Sequence, residues 1–143
     1  MTLVEALQAA LAVEQEVVYG YGVVGARSRG ASRRSAYAAL RAHQQRRDDI
    51  AGYLRAAGVQ PSPPAPGYVV PFDVIDQQSA GRLGAVLEQA SAGAAWDLVA
   101  AAGAGSEIRQ WTVDRLAATA RWLDQWRLVA GEQSLAALPG QPG

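Results

Sequence analysis

The chain contains a single histidine, His43, and the chemistry open to it depends on what can meet that ring. His43 stands in a run of Ala36, Leu40, His43, Arg47, Ile50, Leu54 and Ala57. The alternating four-and-three spacing describes one buried face of a helix. Upstream, Leu3, Leu7, Ala10, Glu14, Val17, Tyr21 and Val24 form a second such stripe, with Glu14 where an apolar residue belongs. Glu14 lies about fourteen residues before the intervening corner and His43 about fourteen after it, so an antiparallel hairpin places them at one height. Arg47 follows one turn along. The same height count, with an error of about one turn, brings in Asp97 from a third helix and Arg115 from a fourth. Glu14, His43, Arg47, Asp97 and Arg115 are thus the expected polar centre, lined by the aromatic residues Tyr21, Trp111 and Trp122.

Three chemistries fit such a centre. Two arginines can neutralise two carboxylates in a purely structural network, since buried charge persists when paired and hydrogen-bonded. The arginines and His43 can instead receive a small anionic ligand. The third is a metal site. A carboxylate-bridged di-metal bundle needs a Glu on each of two helices and Glu-x-x-His on each of the other two. Here Leu40 stands three before His43, and the fourth helix has no histidine. Glu88 falls roughly 140° from the third stripe at ~100° per residue, which directs it to solvent. The expectation is therefore no bound iron, manganese or zinc and no cofactor, with a single ion on Glu14 and His43 left open. No Ser, His and Asp arrangement has a nucleophile motif, and Gly20, Gly22 and Gly25 follow neither a Rossmann nor a P-loop pattern. Their expected role is close helix approach or a kink.

Four helices must position these residues. The first ends near Ala26. The second runs from about Ser32 to Ala57, stopped by Gly58. Prolines 61, 63, 64, 66 and 71 exclude helix from the next segment. Its Tyr68, Val69, Val70, Phe72, Val74 and Ile75 argue for an ordered crossover along the bundle. The third helix runs from about Gln77 to Ala102, with Leu83, Leu87, Ala90, Ala94 and Ala101 as its stripe and Asp76 or Ser79 as its cap. Ser106 caps the fourth, which stops at Gly131. Its stripe is Ile108, Trp111, Arg115, Ala118, Trp122, Trp126 and Val129. Two helical hairpins joined by one long crossover make an all-α, ferritin-like four-helix bundle, expected over residues 1–138 with a flexible tail at 139–143.

Composition agrees. Half of the 143 residues are hydrophobic, rich in Ala and Leu, which favours helix. Thirteen basic residues balance thirteen acidic ones, so no overall field draws nucleic acid or an anionic membrane. The basic run at Arg27–Arg34 reads as a solvated corner. Without cysteine, disulfides and thiolate chemistry are excluded. No signal peptide and no membrane-length apolar run stands out, which makes a cytoplasmic protein the expectation. Trp96, Val113 and Leu116 fall on outward faces and suggest a homodimer or a protein partner.

The runs EQEVVYGYGVVGAR, RAHQQRRDDI, PPAPGYVVPFDVIDQQSAGRLGAVLEQ and WLDQWRLVAGE, with a terminal LPG, resemble an actinobacterial ferritin-like domain family of unknown function, domain of unknown function 4439. The resemblance spans nearly the whole chain. It implies that Glu14 is the family's first-helix glutamate and that His43, Arg46, Arg47 and Asp48 form its second-helix polar run. It brings no activity with it. The leading functional expectation is a metal-free scaffold acting through a dimer or partner. Beside it stand a binding protein for a small anion and an oxidase with a reduced ligand set.

Overall fold

A computed structural model describes residues 1–132. Four helices form an all-α bundle: α1 (Leu3–Ala26), α2 (Gly30–Ala56), α3 (Gln77–Ala101) and α4 (Glu107–Val129). The expected bounds hold to within about two residues, because the end signals act locally. Thr2 and Asp76 close capping boxes on α1 and α3, and Ser106 accepts from the Arg109 amide at the start of α4. Gly58 and Gly131 take φ of +74° and +86° just beyond α2 and α4, a left-handed turn that favours glycine. The tail expected at 139–143, and the bundle's last residues from 133, lie outside the described residues.

The crossover is ordered, and its packing follows strand-like alternation. Val70, Phe72 and Val74 pack on the core while Val69 and Ile75 face outward. Gln8 and Gln15 on α1 bond to the backbone of Gln60 and Ser62, and Tyr19 meets Tyr68 at 5.4 Å between ring centres. The crossover thus runs up α1, so that α3 starts beside the first corner, where the Arg29 amide donates to Gln77.

The packing is uneven around the square. α1 lies close to both α2 and α3, and α3 to α4, whereas α2 and α4 scarcely approach. Small residues allow the close contacts. A Cβ on Gly20 would lie 2.6 Å from Leu87 of α3, and one on Gly84 would lie 2.6 Å from the Trp126 ring of α4. Gly25 makes a similar approach to Tyr37 on α2, but nothing lies within 4 Å of a Cβ at Gly22. Two apolar clusters result. One, around Tyr21, Leu83 and Trp126, lies toward the first corner. The other, around Leu7, Ile50 and Leu98, lies at the opposite end. Polar side chains occupy the layer between them. Among the described residues no helix is long and apolar enough to cross a membrane.

A buried carboxylate–histidine–carboxylate centre

Glu14 and His43 meet across the first hairpin, with His43 Nδ1 2.6 Å from Glu14 Oε2. The other ring nitrogen, Nε2, lies 2.7 Å from Oε1 of Glu88 on α3. His43 and Glu88 are completely buried and Glu14 nearly so. Ionised carboxylates only accept hydrogen bonds, so a ring flanked by two of them donates from both nitrogens as imidazolium. Burial alone would depress the His43 pKa, but the hydrogen bonds and charges of Glu14 and Glu88 outweigh it and raise the pKa above the usual value.

Further donors reach one oxygen of each carboxylate. Ser91 Oγ donates to Glu14 Oε1 at 2.6 Å. The Tyr21 hydroxyl donates to Glu88 Oε1 at 2.5 Å, and Trp126 Nε1 donates to the Tyr21 oxygen at 2.9 Å. Burial, with Glu88 alongside, pushes the Tyr21 phenol far above its ordinary pKa. Glu88 Oε2 is buried without a hydrogen-bond partner among the described residues. Arg46 supplies the second cation. It donates to Thr119 at 2.7 Å, to Ser91 at 3.3 Å and to the Arg115 carbonyl at 3.2 Å, reaching from α2 to α3 and α4. Burial lowers its pKa, and the nearby Glu14 and Glu88 charges oppose that effect. Two carboxylates thus face one imidazolium and one guanidinium, and the centre is formally neutral.

The expected site residues divide. Glu14 and His43 pair directly. Tyr21 and Trp122 flank the imidazole, with ring centres 5.5 and 5.8 Å away. Arg115 and Trp111 stand at the edge of the polar layer. The Arg115 guanidinium lies 4.5 Å over the Trp111 ring and bonds the Trp111 carbonyl, and Trp111 Nε1 donates to Asp49. Three expectations are corrected. Arg47 turns outward to pair with Asp48 at 3.0 Å, and Arg46 takes the inner place. From His43, steps of three and four are both helical, and the three-step points toward the open α2–α4 seam. Asp97 is exposed on α3, and Glu88, expected in solvent, is fully buried. The buried side of α3 keeps Leu83 and Leu87 of the expected stripe and adds Ala80, Gly81, Gly84, Glu88, Ser91 and Leu98. Gly84 and Ser91 carry no hydrophobic signal, although they are what admits Trp126 and Glu14. Thr112 and Thr119 were missed for a related reason. With Trp126 they form a strict seven-residue line on α4.

The centre has little free volume. A cavity of about 20 Å³ lies beside Glu14, Arg46, Ser91, Thr112 and Arg115, enough for roughly one water. Among the described residues, no group of three His, Asp or Glu side chains is arranged to hold a metal ion. Glu14 and Glu88 each bond to the His43 ring.

The profile of a family described as "Domain of unknown function (DUF4439)" matches residues 6–143. The fold is similar to the crystal structure of a conserved hypothetical protein from Mycobacterium tuberculosis, with 33% identity and a TM-score of 0.82. That match covers 97% of this chain and 94% of the mycobacterial one. No protein of curated function matches significantly.

Proposed function

We propose that this chain, which belongs to the DUF4439 family of domains of unknown function, is a non-catalytic, ferritin-like scaffold whose polar centre holds its helices together in place of a metal. The observation that carries this reading is the saturation of His43, with both ring nitrogens on carboxylates from two other helices. To bind a metal, the imidazole would have to lose a proton and at least one carboxylate partner. The Arg46 guanidinium would remain close by as a repelling charge. A water-sized cavity also leaves no room for a small anion, so the ligand reading of the centre gains no support.

The scaffold acts through its outer surface, where Trp96 is 62% and Val113 45% exposed. Exposed apolar groups of this size suit a second copy or a protein partner. The reading is tested by incubating tag-free protein with iron(II), manganese(II) and zinc(II), followed by gel filtration and elemental analysis. Sub-stoichiometric metal that does not change the melting temperature supports it. One or two equivalents per chain, lost in Glu14→Ala, overturns it.

A further inference from the structure

Away from the polar centre, a cleft of about 190 Å³ opens between α1, α3 and the crossover. Its apolar wall is made by Val17, Leu83 and Leu87, its aromatic side by Tyr19 and Tyr68, and Glu16 stands at the rim. For scale, an apolar cavity of about 150 Å³ accepts a benzene molecule. The cleft therefore suits a single ring or a short branched chain.

We propose that this cleft binds a small organic cation, a protonated amine carried on one compact apolar body. Charge complementarity selects the cation. Among the described residues Glu16 has no ion-pair or hydrogen-bond partner, and no arginine lines the cleft to neutralise it. The Tyr19 and Tyr68 rings, 5.4 Å apart and tilted by 40°, add two electron-rich faces beside that carboxylate. An ammonium group at the rim then meets Glu16 and the tyrosines while its apolar body rests on Val17 and Leu87. The walls are pre-formed. The contact of Gly20 with Leu87 fixes the spacing of α1 and α3, and bonds from Gln8 and Gln15 hold the crossover start against α1. Little ordering cost is left for the ligand to meet.

The test compares three probes of one shape by amide chemical-shift titration: phenethylammonium, neutral 2-phenylethanol and anionic phenylacetate. The cation is expected to bind roughly five- to tenfold tighter than the alcohol, in line with a cation beside aromatic faces and a carboxylate, and the anion weakest. Shifts should centre on Val17, Gly20, Tyr68 and Leu87. Glu16→Gln should remove most of the cation's advantage over the alcohol and leave the alcohol unchanged. Ala90→Trp, which fills the cleft from an exposed position on α3, should abolish all three. Equal affinity for the three probes, shifts scattered over the surface, no titration at millimolar probe, or full cation affinity in Glu16→Gln would each overturn the proposal.

Discussion

His43 Nε2 lies 2.7 Å from Glu88 Oε1, joining α2 to α3, two helices on opposite corners of the bundle whose backbones scarcely meet. With Glu14 on the other ring nitrogen, one side chain ties three helices. Arg46 brings in the fourth through Thr119. Along the open α2–α4 seam the bonds are side-chain rungs: Ser35 to Gln125, Arg46 to Thr119, and Asp49 to Trp111. The bundle is packed by apolar contact on three sides and bolted by polar groups on the fourth.

Removing one carboxylate leaves a buried cation without its counter-charge. Glu88→Ala and Glu14→Ala are each expected to cost on the order of 3–5 kcal/mol, or a melting point roughly 10–20 °C lower for a chain of this size. Glu16→Ala is the control, since its carboxylate is exposed and unpaired. Calorimetry in which all three variants melt together would contradict the account.

The neighbouring arginines offer a sharper contrast. Arg46→Ala removes a buried guanidinium with three hydrogen bonds, whereas Arg47→Ala removes an exposed pair with Asp48. Urea unfolding should show a loss of several kcal/mol for Arg46→Ala and within about 0.5 kcal/mol of wild type for Arg47→Ala. The opposite order would return Arg47 to the centre.

Stability should fall on the alkaline side. An unfolded histidine titrates near 6.5, and His43 in the bundle holds its proton to higher pH. Its contribution is therefore complete below about pH 6.5 and is lost as pH rises through the folded His43 pKa. Urea midpoints measured from pH 6 upward should decline over that window in the wild type. In His43→Gln the decline should be absent.

Tyr21 links the carboxylate to Trp126, so Tyr21→Phe removes one donor from Glu88 and leaves the buried indole N–H unpaired. The expected cost is about 1–3 kcal/mol. In the wild type the raised Tyr21 pKa predicts a phenol that ionises only on unfolding. Tyrosinate absorbance during an alkaline titration should then show one group appearing together with the loss of helix.

Much of this was legible in the sequence, for identifiable reasons. Caps, stops and the proline-rich crossover are local signals, and they placed the four helices. Glu14 and His43 were found because a charge in an otherwise apolar stripe needs a partner, and hairpin geometry supplies the height. Hydrophobic spacing misleads where the buried arc is broad or built of small residues. α3 packs against both α1 and α4, so Glu88 lies inside an arc that a Leu–Ala stripe makes too narrow. Hydrophobic spacing also cannot choose between Arg46 and Arg47, because each is one helical step from His43. The choice is made by the width of the α2–α4 seam, a tertiary property.

The central claim is that His43 is a doubly bonded imidazolium clamping two carboxylates. Nitrogen-15 NMR of the histidine ring at pH 7 tests it most directly. The account predicts two protonated ring nitrogens, both protected from solvent exchange, unchanged by added zinc(II) or manganese(II). A neutral ring with one protonated nitrogen, or a nitrogen signal that shifts or broadens specifically with stoichiometric metal, would contradict it.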